Sequence, residues 1–229
     1  MPINLHSASV RGPGHINRGQ PNQDAVLIRR NRNSWLAVVS DGMGSRKHSD
    51  IGSKMACQAV LMMTRQCSFD EPDKTVIHCT YKHWLNLLDN IRPDDAIATC
   101  LFAWGKPSGK CRLFQLGDGA IYVSSGEQQT LKPRDENSFG NETTGLGLSK
   151  KYSDWVCAQS QISINQGLVL VTDGISDDLV EPQLFASSVI KTMKNKGARY
   201  GKQWMKRELE NWPTPHHTDD KTIAVIHRK

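Results

Sequence analysis

Short apolar runs separated by turn-forming residues follow one another along most of the chain, and three of them share an ending. Residues 35–40, 113–116 and 168–171 are each followed, directly or after one residue, by an Asp-Gly pair. Short apolar runs with many β-branched side chains are typical of strands. The pattern therefore predicts three strands that each present an aspartate at or just beyond the strand end.

The remaining pattern predicts a sandwich of sheets and helices. Further strands are predicted over 7–10, 25–28, 96–104, 120–124, 156–164 and 222–227, and helices over about 49–63, 73–91, 181–195 and 200–211. About ten strands and four paired helices indicate an α/β sandwich, with two mostly antiparallel sheets and helices packed outside. No repeat, low-complexity tract or linker divides the chain, so residues 1–229 are expected to form a single domain.

The three Asp-Gly pairs differ in the residues that come after them, and the difference separates two interpretations. An apolar run resumes at once after Asp118-Gly119, which favours a two-residue hairpin turn, although a hairpin tip can also hold a ligand. Asp41 and Asp173 lead toward helices instead, and another carboxylate comes soon after at Asp177. Acidic side chains gathered at strand ends typically build an oxygen-rich site for hard cations such as Mg²⁺ or Mn²⁺.

Two irregular stretches are candidates for substrate contacts. The loop over 11–24 is rich in Gly, Pro and Asn, and it carries Arg11, His15 and Arg18 before it reaches Asp24. A basic loop that runs into an aspartate suits a phosphate site beside a metal, but it suits a polar surface loop equally well. Residues 126–153 show little periodicity, and loops of this length inside a domain are usually functional.

Composition and charge narrow the class of protein further. No apolar run is long enough to span a bilayer, and the start of the chain lacks a basic segment followed by an apolar one, so we expect a cytoplasmic protein without a membrane partner. The net charge of +6 suits an anionic substrate such as a phosphorylated protein. Because the basic residues are scattered and no aromatic–basic repeat occurs, nucleic acid is not an expected partner.

Five short motifs, taken together and in order, resemble the protein phosphatase 2C family of metal-dependent protein serine/threonine phosphatases. The motifs are Asn22-Gln23-Asp24, Ser40-Asp41-Gly42-Met43-Gly44, Leu116-Gly117-Asp118-Gly119, Val171-Thr172-Asp173-Gly174-Ile175-Ser176-Asp177 and Asp219-Asp220-Lys221-Thr222. They extend over nearly the whole chain, from about residue 5 to residue 227. The Gln-Asp and Asp-Gly-Met-Gly forms are similar to the bacterial branch of the family.

The resemblance implies a four-layer αββα fold with a two-metal centre between the sheets. The metal ligands that it implies are Asp24, Asp41, Gly42, Asp118, Asp173, Asp177 and Asp219. Asp41 would bridge two Mg²⁺ or Mn²⁺ ions, and Asp118 and Asp177 match positions that can hold a weaker third ion. In the last motif the first aspartate is the family's ligand, which favours Asp219 over Asp220. Residues 126–153 fall where the family has a variable flap.

Two positions depart from the family pattern. The phosphate-binding arginine usually stands five residues before the first metal aspartate, and that position here is Gly19. Arg18 and His15 lie further back in the same loop, and either is a candidate for the catalytic phosphate contact. Some members of the family also have a histidine, proposed as a general acid, where this chain has Met43. Methionine cannot donate a proton, so metal-bound water is the expected substitute.

The implied function is that of a phosphomonoester hydrolase acting on phosphoserine and phosphothreonine in proteins, by means of a water that bridges the two metals. Its expected setting is bacterial signalling, with a phosphorylated protein substrate, a cognate serine/threonine kinase and a monomeric state. An alternative is a catalytically weak or inactive module that binds phosphoproteins as a regulator, which the displaced arginine would allow. A different two-metal hydrolase, such as a nuclease, is disfavoured by the scattered basic charge.

Overall fold

The computed structural model describes residues 3–124, 129–131, 144–213 and 218–229, and two antiparallel sheets account for much of this part of the chain. The strands in chain order are β1 (Ile3–Val10), β2 (Ala25–Arg30), β3 (Trp35–Ser40), β4 (Cys100–Gly105), β5 (Lys110–Leu116), β6 (Ala120–Ser124), β7 (Gln129–Leu131), β8 (Val156–Gln161), β9 (Gly167–Val171) and β10 (Lys221–Arg228). The helices are α1 (Pro13–Asn17), α2 (Ser49–Gln66), α3 (Asp73–Leu88), α4 (Asp173–Ser176), α5 (Pro182–Lys194) and α6 (Ala198–Glu210). Short 3₁₀ turns lie at Pro93–Asp95 and Tyr152–Asp154.

The two sheets stack face to face between two pairs of helices. The first sheet has the strand order β1-β10-β9-β6-β7 and the second the order β2-β3-β4-β5-β8. Along β3, Leu36 and Val38 pack with the helix pair α2 and α3, whereas Ala37 and Val39 pack against the other sheet. The pair α5 and α6 covers the outer face of the first sheet in the same way. The predicted four-layer αββα sandwich is therefore confirmed.

Complete burial explains why the central strands are continuous apolar runs. Every residue of β3 and of β9 is buried, because each of these strands has a helix layer on one face and a sheet on the other. A strand that was open to water on one face would instead alternate apolar and polar residues. Continuous apolar runs of this kind therefore identify strands of the two sheets, which are the middle layers of the sandwich.

The hairpin predicted at Asp118-Gly119 is wrong, because the chain changes sheets at this point. Strand β5 pairs with β4 and β8 in the second sheet, while β6 pairs with β7 and β9 in the first. Gly117 and Gly119 have φ angles of 83° and 99°, a left-handed conformation that glycine adopts without steric cost. The two glycines allow a sharp step between the layers, with Asp118 at its tip.

Other differences are local. The loop over 11–24 contains α1, whose first residue is Pro13, a favourable position for proline because its missing N–H has no partner in the first turn. The strand expected from residue 96 begins only at Cys100, and β7 was not predicted. The predicted flap over 126–153 lies partly outside the described residues. Within the described ranges, none of the helices combines the length and apolar character that crossing a membrane requires.

Candidate metal centre

The acidic residues of the motifs meet at one edge of the sandwich because of how the strands pair. Ala25 lies opposite Ser40 in the antiparallel ladder of β2 and β3, so Asp24 before β2 and Asp41 after β3 become neighbours. The same geometry applies to β9 and β10: the amide of Thr172 donates to the carbonyl of Thr222, which brings Asp173 toward Asp219. Two antiparallel pairs, one from each sheet, therefore supply four carboxylates to one place.

Asp24 and Asp41 form a buried pair that is short of positive charge. Burial raises the pKa of Asp24 to about 8, and burial together with the charges of Asp24 and Asp173 raises the pKa of Asp41 well above its usual range. The two carboxyl groups lie close enough for each to affect the pKa of the other. Thr172 Oγ1 donates to Asp24 Oδ2 at 2.8 Å, whereas Asp24 Oδ1 has no partner among the described residues.

Asp173 and Asp219 extend the same acidic cluster. Burial is the main reason that the pKa of Asp173 rises to about 6, and the charge of Asp219 contributes next. The backbone amide of Gly174 donates to Asp173 Oδ1 at 2.7 Å and opposes this shift. Residue 174 has to be glycine, because a Cβ atom here would lie 2.0 Å from the carbonyl oxygen of Asp220.

The two remaining predicted carboxylates lie at the margin of the cluster. Asp118 occupies the step between the sheets, and Asp177 follows the last residue of α4. The charges of both raise the pKa of Asp173 further, which places them within electrostatic reach of it. Burial raises the pKa of Tyr122 to about 12, and the charge of Asp177 contributes to this shift.

The turn after β3 fixes the position of Asp41 through its backbone. The amide of Asp41 donates to Thr99 Oγ1 at 2.8 Å, and the amide of Thr99 donates to the Asp41 carbonyl at 2.8 Å. A Cβ atom on Gly42 would lie 2.3 Å from the carbonyl oxygen of Ser49, so only glycine fits between this turn and the start of α2. The Gly42 amide donates to the carbonyl of Gln23 at 3.2 Å, which links the turn to the segment before Asp24.

Asp220 has a different environment from its neighbour Asp219. It is only 1% exposed, and its oxygens accept the amides of Gly12 at 2.7 Å and Gln23 at 2.6 Å. His15 Nδ1 lies 2.8 Å from Asp220 Oδ2. Ligand atoms of His15, Asp219 and Asp220 lie within 4.8 Å of one another, but the oxygens of Asp220 already accept hydrogen bonds, whereas Asp219 faces open space. Asp220 therefore holds the loop of α1 in place, a role that the sequence analysis did not assign.

A pocket of about 480 Å³ opens over Asp41 and Asp219, and we call it the metal-centre pocket. His15 and Arg18, the two candidates for phosphate contact, both line it. Arg18 Nε donates to Gln20 Oε1 at 2.9 Å, an exposed hydrogen bond that a ligand can displace. Gly19 has a φ angle of 67°, so an arginine at this position would be strained in the present loop conformation.

The residues present fit hard divalent cations. All the donors in the cluster are oxygens, which Mg²⁺ and Mn²⁺ prefer. Raised carboxyl pKa values and the unpartnered Asp24 Oδ1 both indicate a site that lacks positive charge. The sequence did not predict several of the polar residues that position the cluster. Two of them, Thr99 and Thr172, are threonines next to an apolar strand, which is a pattern that could have identified them.

Solved structures with a similar fold include bacterial phosphatases. The serine/threonine phosphatase of S. agalactiae is 14% identical over 99% of this chain and 100% of that chain, with a TM-score of 0.72. PppA of Pseudomonas aeruginosa, described as a key regulatory component of T6SS, is 14% identical over 99% of this chain and 98% of that chain, with a TM-score of 0.70. RsbX in complex with magnesium is 12% identical over 98% of this chain and 94% of that chain, with a TM-score of 0.65. At these identities the likeness shows a shared fold.

The phosphatase domain of SpoIIE from Bacillus subtilis, solved with a fragment of its regulatory domain, is a further neighbour at 14% identity and a TM-score of 0.65. The chain spans 63% of the length of that structure, and 99% of the chain is covered. No curated protein sequence matches the chain at a significant level. The family model described as protein phosphatase 2C matches residues 11–212, which is most of the chain. The chain therefore belongs to the protein phosphatase 2C family.

Proposed function

We propose that this chain is a Mg²⁺- or Mn²⁺-dependent protein serine/threonine phosphatase. The observation that carries the proposal is the convergence of four carboxylates. Asp41 and Asp219 line the metal-centre pocket, a smaller pocket is lined by both of them and by Asp173, and Asp24 lies close enough to raise the pKa of Asp41. Membership of the protein phosphatase 2C family supports hydrolysis of phosphoproteins as the reaction class. The whole of residues 1–229 would act as one catalytic domain.

The proposed ligand set depends on the positions of the carboxylates. Asp41 and the carbonyl of Gly42 would hold the two principal ions together with Asp173 and Asp219, and Asp24 would lie beside them. Asp118 and Asp177, at the margin, are suited to a third, weaker ion. When bound, two such cations supply the charge that activates a water nucleophile and neutralises the phosphoryl oxygens.

The chain's own residues position these ligands and the substrate. Thr99 fixes the backbone of Asp41, and Thr172 orients the carboxylate of Asp24. In the same pocket, His15 lies against Asp220, while Arg18 can exchange its bond with Gln20 for one with a phosphate oxygen. A guanidinium that donates two parallel hydrogen bonds suits a phosphomonoester. We therefore assign the phosphate contact to Arg18, with His15 beside it.

The cellular role is proposed in the same way. PppA is described as a regulatory component, and another structural neighbour comes from work on the bacterial stressosome and secondary messenger signalling. These neighbours support a signalling role, with a phosphorylated protein as substrate and a serine/threonine kinase that acts in the opposite direction. A monomeric state and a cytoplasmic location stay predictions.

The alternative is a phosphoprotein-binding module without turnover. The replacement of the family's arginine by Gly19, in a left-handed conformation, favours it. The complete set of carboxylates counts against it, since a module that only binds phosphoproteins does not need every metal-ligand position to be kept. Turnover decides between the two.

The test is hydrolysis of p-nitrophenyl phosphate and of a phosphothreonine peptide, measured with Mn²⁺, with Mg²⁺ and with a chelator. We expect metal-dependent turnover that falls at least about 100-fold in Asp173→Asn, because one charged ligand is lost. Asp178→Asn is the matched control: Asp178 Oδ2 accepts Trp212 Nε1 at 2.7 Å, and an amide oxygen can still accept it. Metal binding by calorimetry without turnover in the wild type would favour the binding module instead.

A further inference from the structure

A second polar pocket lies at the other end of the edge strands from the metal centre. Strands β1 and β2 are the outermost strands of their sheets, and β2 runs from Asp24 at the metal centre to Arg30. A pocket of about 300 Å³, which we call the β1–β2 pocket, opens at this far end. At about 3.3 Å per strand residue, it lies roughly 15–20 Å from the metal centre.

The β1–β2 pocket is lined by basic side chains. Its wall includes Arg29, Arg30, Lys196 and Lys229, and no acidic side chain of the described residues lines it. None of the four forms a salt bridge within the described part of the chain. Arg30 Nη1 donates to the carbonyl of Ile3, which holds its guanidinium beside the start of β1. Four cations in a concave site produce a strong positive potential that favours an anion.

A helix terminus adds backbone donors to the same wall. Gly197 lines the pocket and is the residue before α6, a helix of 13 residues that begins at Ala198. The start of α6 has no side-chain cap, and its first turn contains no acidic residue. The first amide groups of a helix lack intrahelical acceptors and carry the positive end of the helix dipole. Such a terminus binds phosphate groups readily.

A buried histidine forms the inner wall of the pocket. His6 is only 4% exposed, lines the pocket, and has an Nδ1 atom without a hydrogen-bond partner in the described ranges. Its other nitrogen, Nε2, lies 3.3 Å from Nε2 of His227. Nδ1 faces the first turn of α6, where a Cβ atom on Gly201 would lie 2.7 Å from it. Because Nδ1 is covered by this contact, His6 shapes the wall, and the groups that can reach an anion are the four cations and the start of α6.

We propose that the β1–β2 pocket binds a small soluble anion with two or three linked phosphate groups, such as pyrophosphate or the phosphate chain of a nucleotide. Its volume is at the lower end of ligand sites, which suits a compact ligand. Four cations match the charge of linked phosphates better than that of a single phosphate. The backbone amides at the start of α6 supply neutral donors. The site is separate from the proposed reaction, and neither assignment depends on the other.

The test is calorimetric titration of pyrophosphate and of orthophosphate into the metal-free protein, at about 150 mM salt and without divalent cations. We expect saturable binding of one pyrophosphate, and orthophosphate at least tenfold weaker. Arg29→Gln/Lys196→Gln should weaken pyrophosphate binding at least tenfold. Both side chains lie at the surface or partly exposed, so the fold is not at risk. The control Arg65→Gln/Lys82→Gln removes two equally exposed charges from α2 and α3, and it should change affinity less than twofold.

The position of binding is read from backbone amide signals by NMR. Pyrophosphate should shift the signals of Gly197, Tyr200 and Gly201 and leave those of Gly42 and Gly44, at the metal centre, in place. The proposal is overturned by the absence of saturable binding, by equal affinity for both anions, or by equal losses in the two double variants. Shifts confined to Gly42 and Gly44 overturn it as well, since they would assign the anion to the metal-centre pocket.

Discussion

Replacing Asp220 by alanine should destabilise the protein more than any change at a proposed metal ligand. The substitution leaves the amides of Gly12 and Gln23 without acceptors in a region where Asp220 is 1% exposed. It also removes the carboxylate oxygen that lies 2.8 Å from His15 Nδ1. Each buried amide that is left unpaired costs about 1–3 kcal/mol. Relief of the repulsion between Asp220 and Asp24 offsets part of this cost. We expect a net loss of about 2–5 kcal/mol in the free energy of unfolding.

The assay is urea denaturation with chelator present, so that metal binding does not contribute to the measured stability. Asp219→Ala is the matched control, one position away along the chain. Asp219 is partly exposed, and its Oδ1 accepts the amide of its own neighbour, Asp220, at 2.8 Å. Its removal also relieves the charge that raises the pKa of Asp173. We therefore expect Asp219→Ala to change the metal-free stability by less than about 1 kcal/mol, although it should abolish metal-dependent turnover.

The reasoning requires that Asp220→Ala lowers the metal-free stability and that Asp219→Ala leaves it nearly unchanged. If Asp220→Ala unfolds at the same urea concentration as the wild type, the hydrogen bonds to Gly12 and Gln23 do not stabilise the fold as described. If Asp219→Ala is destabilised as strongly as Asp220→Ala, the distinction between a positioning aspartate and a ligand aspartate is wrong. An unchanged denaturant slope is required in both cases, because a changed slope would indicate a different unfolded or native state.

Three further predictions concern pH, a glycine and the phosphate contact. Burial lowers the pKa of His6 and of His227, the latter to about 4, so the unfolded chain binds more protons than the folded one between about pH 4 and the unfolded pKa of about 6.5. Stability should fall by about 1–2 kcal/mol as the pH decreases through this window, and urea titrations should show a smaller fall in His227→Gln. Gly174→Ala should lower the melting temperature and remove turnover, because its Cβ atom would lie 2.0 Å from the carbonyl oxygen of Asp220. Gly197→Ala is the control in the same calorimetric melting experiment, because no atom lies within 4 Å of the Cβ position there. Arg18→Ala should raise KM for the phosphopeptide about tenfold or more while metal affinity stays unchanged, and an unaltered KM would exclude Arg18 from the phosphate contact.

The fold was predictable as far as local pattern determines it. The apolar runs of β3 and β9 located the inner strands, because burial on both faces requires apolar residues throughout. The step at Asp118 was not predictable from the same reasoning. A Gly-Asp-Gly segment can close a hairpin or connect two sheets, and the outcome depends on which strands are available to pair with β6. The strands available to pair with β6, and not the turn residues themselves, therefore determined that this segment connects two sheets.

The candidate site was likewise predictable only in part. Aspartates at strand ends identified the carboxylates, since the end of a strand is a local feature of the sequence. The polar residues that position them act across long sequence separations: Asp220 binds the amide of Gly12 over 208 positions, and Thr172 binds Asp24 over 148. No local pattern links such pairs. Only the assembled sandwich brings them together.

The bond between Asp220 and the Gly12 amide also affects when the acidic cluster can assemble during folding. A ribosome makes Asp24 and Asp41, which flank β2 and β3, well before it makes Asp219 and β10. Contacts of such high sequence separation have a large loop-closure cost and form slowly. A nascent chain would thus carry Asp24 and Asp41 without the complete acidic cluster until β10 inserts between β1 and β9. The topology therefore delays assembly of the proposed metal centre until β10 has been synthesised.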